Sequence, residues 1–312
     1  MKTALIFPGQ GSQNVGMGQD FYQKYESSRY IYKKLDETLK VKMSDLIFNG
    51  EETELSRTQN SQPAIMATSI AILSAIRSEN ILSNANFQCV AGHSLGEYSA
   101  LVANDSLSFE NAVKLLKIRS KAMQDSMPIG TSGMVALIGS SDELVKNCLD
   151  TANKYGKIFI ANDNAPGQTV LSGEISAIDY VVNNYKNLKI KKAIMLPVSA
   201  SFHCELMNNA SNIMKKEISD YQFNKFTVPL YSNVTANACQ EEVIKDLLVR
   251  QITARVRWRE IVENMINDGI QNFIEIGPGS ALSNMVKRIS KVTTSISISK
   301  LEDLDKLANI NL

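Results

Sequence analysis

The sequence predicts an α/β protein in which a largely parallel sheet, covered by helices, is interrupted by a second and smaller β/α unit. Short apolar runs bounded by Gly or Pro alternate with helical patterns toward both ends of the chain, and between them, after Pro128, the texture changes. In chain order, residues 3–7 read as a strand that Pro8-Gly9 stops, 63–77 as a helix and 88–91 as a strand, with helices starting at Ser94 and at Ser108. Beyond Pro128, residues 134–139, 157–161, 168–172 and 189–197 read as strands and 142–155 and 175–185 as helices, with a turn expected over Asn162-Asp163-Asn164-Ala165-Pro166-Gly167. That order, β-α-β-β-α-β, is the order of a ferredoxin-like unit. From Ser199 the α/β alternation resumes, with strands expected at 227–232, 272–276 and 293–297. The expected organisation is thus a discontinuous core, 1–128 and 199–312, with 129–198 inserted and a ligand cleft where the two meet.

Composition narrows the function. A chain of 312 residues can bury a substantial core without disulfides or metals. Lys and Arg number 33 against 32 Asp and Glu, a net charge of +1, so the strong positive field of a nucleic-acid binder is missing. Cys89, Cys148, Cys204 and Cys239 are far apart and show no C-x-x-C spacing, as expected of a reduced cytoplasmic protein without a disulfide framework or zinc site. The apolar run after Lys2 is too short for a signal peptide. The longest apolar stretch, 63–76, carries Thr68, Ser69 and Ser74 and falls short of the ~20 residues of a membrane span, so no membrane partner is expected.

Gly92-His93-Ser94-Leu95-Gly96 is a G-x-S-x-G sequence that follows a short apolar strand and opens an apolar helix, the context of a nucleophile elbow. The turn is crowded, so side chains at Gly92 and Gly96 would strike neighbouring backbone, and it sets Ser94 at a helix N-terminus, where backbone N–H groups can hold an oxyanion. A serine nucleophile needs a base, and the chain has two histidines, His93 and His203. His93 is adjacent to Ser94, and neighbouring side chains on a tight turn diverge, which leaves His203 as the better candidate.

The segment 5–13 puts a Gly-flanked Gln10 directly after the first strand; Asn14 stands where a dinucleotide fingerprint needs its third glycine, so a backbone N–H offered to an oxyanion is the functional alternative to an ordinary turn. Arg119 interrupts an apolar stripe formed by Ala112, Leu115, Leu116, Ala122 and Met123 on one helix face. A buried guanidinium requires an anion. Either a carboxylate such as Glu97 or the substrate supplies it.

Together, Phe7-Pro-Gly-Gln-Gly-Ser-Gln13, Gly92-His-Ser-Leu-Gly-Glu97, Arg119, Phe202-His203, Leu248-Val-Arg-Gln251 and Glu275-Ile-Gly-Pro-Gly279 resemble the malonyl-CoA:acyl carrier protein transacylases of bacterial fatty acid synthesis, in the family's order and from residue 3 to about 290. The resemblance implies an α/β-hydrolase-like core with a ferredoxin-like insertion, a malonyl-serine ester, coenzyme A thioester as substrate, acyl carrier protein as partner, no permanently bound cofactor or metal, and a monomer. By matching position it implies Ser94 as nucleophile, His203 as base, and Gln251 in the place of the triad acid, orienting His203 through its carbonyl. It further implies Gln10 and Leu95 as oxyanion donors and Arg119 as the partner of the malonyl carboxylate. His93, Lys287 and Arg288 are candidate contacts for coenzyme A or the carrier protein, and Lys189-Ile-Lys-Lys192 is a second basic cluster. Ala200-Ser201-Phe202-His203 lacks the first histidine of the His-Ala-Phe-His signature of malonyl-selective polyketide acyltransferases. A discrete polyketide acyltransferase and a serine esterase are the alternative readings.

Overall fold

A computed structural model describes residues 1–82, 86–198 and 200–310. Strand β1 (Thr3–Phe7) is followed by helices α1 (Gln19–Lys24), α2 (Glu26–Leu39), α3 (Met43–Asn49), α4 (Glu52–Leu55) and α5 (Thr58–Ser78). The elbow segment follows as β2 (Cys89–Gly92) and α6 (Gly96–Ala103), then α7 (Phe109–Asp125). The middle of the chain gives β3 (Ser132–Ile138), α8 (Asp142–Ala152), β4 (Ile158–Ala165), β5 (Gln168–Glu174), α9 (Ile175–Asn184) and β6 (Lys192–Met195). The remainder is α10 (Asn208–Glu217), β7 (Leu230–Tyr231), β8 (Ala238–Cys239), α11 (Ile244–Gln251), α12 (Trp258–Asn267), β9 (Asn272–Ile276), α13 (Ala281–Ile289) and β10 (Thr294–Ile298).

Two sheets result. The larger has the order β10-β9-β1-β2-β7-β8 and is parallel except for the β7–β8 pair; the smaller, β4-β5-β3-β6, is antiparallel. The larger sheet is covered on both faces, as parallel sheets are. Alternate residues of β1 enter different cores: Leu5 and Phe7 join α2, α5 and α7, whereas Ala4 and Ile6 join Trp258 and Ile261 of α12. A third core lies between the smaller sheet and α8 and α9. The expected return point of the chain, Ser199, lies outside the described residues.

Several expected boundaries move, each for a physical reason. Helix α5 begins five positions before Pro63 because polar residues of its opening find partners on other elements, Asn60 on Glu54 and Gln62 on Arg119, and these outweigh the backbone bond the proline removes in the second turn. The turn expected over 162–167 is confined to its end: β4 continues to Ala165 through two register shifts. Its polar residues find partners on other elements, Asn162 bridging Val256 and Asp163 pairing with Arg259, and these contacts override the local turn preference. Strand β7 is shorter than 227–232 because the side chain of Asn104 takes the N–H groups of Thr227 and Val228, at 2.9 Å each. Strand β6 covers only four residues, after Lys189 turns the chain with φ 59.

Candidate active site

The elbow between β2 and α6 is held by contacts that only glycine permits. A Cβ at Gly92 would lie 1.9 Å from the carbonyl carbon and oxygen of Gly96, and one at Gly96 would lie 2.3 Å from the Phe7 carbonyl oxygen. The turn closes tightly enough to force Ser94 to φ 55, a region non-glycine residues enter at a cost. Asn233 locks the turn from outside: its Oδ1 accepts the Ser94 N–H at 2.7 Å and its Nδ2 donates to the Gly92 carbonyl at 2.7 Å.

His203 meets this serine from the loop after the smaller sheet. Its Nε2 is 2.7 Å from Ser94 Oγ and its Nδ1 is 2.8 Å from the Gln251 carbonyl oxygen. A carbonyl only accepts, so the ring proton sits on Nδ1 and the Nε2 lone pair faces the hydroxyl. Burial, reinforced by the charge of Arg119, pushes the His203 pKa down to about 3, which keeps the imidazole neutral. His93 turns elsewhere: its Nε2 pairs with Asn164 Oδ1 at 2.9 Å and its ring lies 5.8 Å from that of Trp258. Burial lowers its pKa as well.

Arg119, on α7, is fully buried. Nη1 donates to Gln62 Oε1 at 2.7 Å, and Nη2 donates to Gln251 Oε1 at 2.8 Å and to Ser94 Oγ at 3.0 Å. All three acceptors are neutral. Glu97, the carboxylate the sequence offers as a partner, is not on the guanidinium: its Oε2 accepts from Gln251 Nε2 at 2.5 Å and its Oε1 from Asn233 N–H at 2.5 Å. The amide of Gln251 therefore stands between cation and carboxylate. Burial pushes the Glu97 pKa up to about 8, opposed by the Asn233 and Gln251 donors and by the charge of Arg119, and because both oxygens accept N–H donors the geometry is that of the ionised form. Burial lowers the pKa of Arg119, and Nε of the guanidinium has no hydrogen-bond partner among the described residues.

Gln10, after β1, and Leu95, at the start of α6, flank Ser94, and among the described residues neither backbone N–H is taken by another group of the chain. A cavity of about 660 Å³ opens over the serine. Gln10, Gln62 and Ser94 line it from the larger sheet and its helices, Met134 and Pro197 from the smaller unit, and His203 from the loop between. Ser94, His203, Arg119, Gln251, Gln10 and Leu95 are thus brought together. Lys287 and Arg288 are not among the cavity's lining residues: they are exposed on the last turn of α13, where Arg288 donates to the Pro166 carbonyl at 3.1 Å and to Gln168 Oε1 at 3.3 Å. Sequence reasoning missed Gln62, Asn233 and Asn164. Gln62 closes the polar opening of α5, Thr58-Gln-Asn-Ser-Gln62, just before its apolar run, and no local pattern singles out it or the other two.

The geometry is that of an α/β protein with a hydroxyl and a neutral imidazole on one cavity and, buried directly behind the hydroxyl, a guanidinium that donates to it, which points to acyl-transfer enzymes with a serine nucleophile. Comparison agrees on the class. Residues 4–302 match the family described as acyl transferase domain. The malonyl CoA-acyl carrier protein transacylase of Bacillus subtilis is 39% identical over 306 residues, 97% of this chain and 95% of that protein. That of Staphylococcus aureus is 38% identical over 305 residues, 97% of both chains. The crystal structure of an acyl-carrier-protein-S-malonyltransferase from Bartonella henselae superposes with a TM-score of 0.95 at 38% identity, covering 99% of each chain. A malonyl-transacylase solved in complex with a type II polyketide acyl carrier protein superposes with a TM-score of 0.95 at 32% identity, covering 99% of this chain and 100% of that one. The chain is therefore an acyltransferase of the acyl transferase family, and within it belongs with the malonyl-CoA:acyl carrier protein transacylases.

Proposed function

We propose that this chain carries a malonyl group from malonyl-CoA to the phosphopantetheine thiol of an acyl carrier protein by a ping-pong route through an ester on Ser94, supplying extender units for fatty acid synthesis. The observation that carries the reading is the position of Ser94 Oγ, which donates to His203 Nε2 while accepting from an Arg119 that no carboxylate touches. In the first half-reaction His203 Nε2 takes the hydroxyl proton, Oγ bonds to the thioester carbonyl carbon, and the oxyanion is held by the N–H groups of Gln10 and Leu95. The C–S bond then breaks and His203 returns the proton to the departing thiolate. In the second half the carrier thiol gives its proton to His203, its sulfur attacks the ester, and the Ser94 oxygen leaves reprotonated. Gln251 orients His203 through its carbonyl, and Arg119 selects a donor that brings its own carboxylate.

Mass spectrometry after mixing with malonyl-CoA tests the reading. One malonyl group should appear on Ser94 and disappear on addition of holo-carrier protein. Free coenzyme A and malonate without an adduct would select an esterase.

The order of the smaller sheet, β4-β5-β3-β6, supports reading residues 129–198 as a ferredoxin-like insertion into an α/β-hydrolase-like core formed by 1–128 and 199–312. We read the protein as a monomer acting in the cytoplasm with no permanently bound cofactor, as the resemblance implies. Among the described residues no helix is long and apolar enough to cross a membrane. We assign Lys287 and Arg288 to the docking of the acidic carrier protein or of coenzyme A phosphates. Reversing both charges should raise the KM for the carrier protein roughly severalfold, more at low salt than at high. A KM unmoved for carrier protein and for malonyl-CoA would take this patch off the binding surface.

A further inference from the structure

The least expected feature of the site is a fully buried carboxylate one side chain behind the guanidinium. Glu97 has no direct contact with Ser94 Oγ, His203 or the open cavity, yet its two oxygens organise residues that do. Oε1 receives the N–H of Asn233, whose side chain bridges the Ser94 N–H and the Gly92 carbonyl. Oε2 receives Gln251 Nε2, which also donates to the Ser94 carbonyl at 2.9 Å. An amide has one donor end and one acceptor end. With Nε2 drawn toward Glu97 and the Ser94 carbonyl, the acceptor Oε1 must face the other way, toward Arg119.

We infer that Glu97 is a positioning residue for substrate selection: by fixing the orientation of the Gln251 amide it gives Arg119 a neutral acceptor and keeps the balancing carboxylate one amide away, leaving the guanidinium's charge for the substrate. This rests on the assignment of Arg119 to the malonyl carboxylate. Two alternatives show what the arrangement avoids. With the carboxylate directly on Arg119, the cation would be neutralised in a fully buried pair and an incoming anion would have to displace it. With the Gln251 amide reversed, its NH₂ would face the guanidinium, donor against donor, and its oxygen would face the Ser94 carbonyl.

Glu97→Gln tests this. At position 97 the new amide must present an NH₂ either to the Asn233 N–H or to Gln251 Nε2, and the second conflict is relieved by reversing Gln251. The ratio of kcat/KM for malonyl-CoA over acetyl-CoA should then fall about tenfold or more, because the reversed amide sets donor against donor and pushes the guanidinium from its place beside Ser94 Oγ. A merely structural carboxylate would depress both donors together.

The exchanged pair Glu97→Gln with Gln251→Glu separates the cases if the single variant folds poorly. Donors and acceptors match again between positions 97 and 251, although one oxygen of the new carboxylate meets the Ser94 carbonyl, so the melting temperature should recover in part, while a carboxylate now sits directly on Arg119, so the malonyl preference should stay low. Recovery of the preference together with the melting temperature would overturn the inference. So would a single variant within twofold of the wild-type ratio.

Arg119→Ala is measured beside them. If it too leaves the ratio untouched, the fault lies in the assignment of Arg119. If it collapses the ratio while Glu97→Gln does not, only the role of Glu97 is lost.

Discussion

Replacing His203 with alanine is expected to lower malonyl transfer by ~10³-fold or more, with most of the loss in the rate of Ser94 acylation. The hydroxyl would lose the only imidazole within reach, since His93 is turned onto Asn164 and Trp258. His93→Ala should be the milder change, and the opposite ranking would reassign the base. The pH profile adds an independent measurement. The competent form of His203 is the neutral one, and its pKa is held down to about 3 from an ordinary 6.5. The acid limb of kcat/KM should therefore be missing near 6.5, with the neutral fraction kept as pH falls from 7 to 5. Stability follows the opposite demand. Between about 6.5 and 3 the unfolded chain binds a proton at this position that the folded chain does not, so the His203 contribution to stability falls as pH drops through that window. A wild-type acid limb at the ordinary histidine pKa would mean that His203 is far more open to water, or more weakly coupled to Arg119, than its place beside Ser94 implies.

What the sequence made legible follows how local each cause is. The elbow could be read because its constraint is carried within five consecutive residues: Gly92 and Gly96 are required by the contacts their absent side chains would make. His203 came from scarcity rather than pattern, and Arg119 from a charge in the middle of an apolar stripe, a mismatch that α7 alone displays. Strands β1 and β9 were legible to the residue because their termini are set by turns adjacent in sequence. Gln251 was assigned through family resemblance alone, since the last residue of α11 carries no periodic signal for donating a carbonyl to a histidine 48 positions away. Its side chain, joining Arg119 to Glu97, could not be read at all. Asn233 and Asn104 behave alike: each satisfies backbone groups more than 120 positions distant, so nothing near them in sequence records the demand. Over 162–164, local preference pointed toward a turn, and partners on other elements drew the segment into β4 instead.

Arg119→Ala should cost malonyl transfer far more than acetyl transfer. The guanidinium is fully buried, donates only to neutral oxygens and has one nitrogen without a partner in the chain among the described residues, so it stands ready for an anion that arrives with the substrate. A bidentate charged pair in a closed site gives roughly a hundredfold discrimination or more, and the ratio of kcat/KM for malonyl-CoA over acetyl-CoA should fall by about that factor. Acetyl transfer should be retained or improved, because an acetyl donor leaves the charge uncompensated in the wild type and no longer does so in the variant. Two further measurements accompany the ratio. The melting temperature should fall, because the truncation leaves a void and unpairs the buried oxygens of Gln62 and Gln251, so selection is read from the two activities: a purely structural cation would depress both together, whereas a selecting one spares acetyl transfer. The acid limb of acetyl transfer should move upward in pH, because the charge of Arg119 is one of the causes holding the His203 pKa low and burial alone would remain. A folded variant with the wild-type ratio and an unmoved acid limb would sink the role of Arg119 in choosing the acyl group, leaving a serine acyltransferase whose preference must be set by the shape of the cavity around Met134, Pro197 and Phe202.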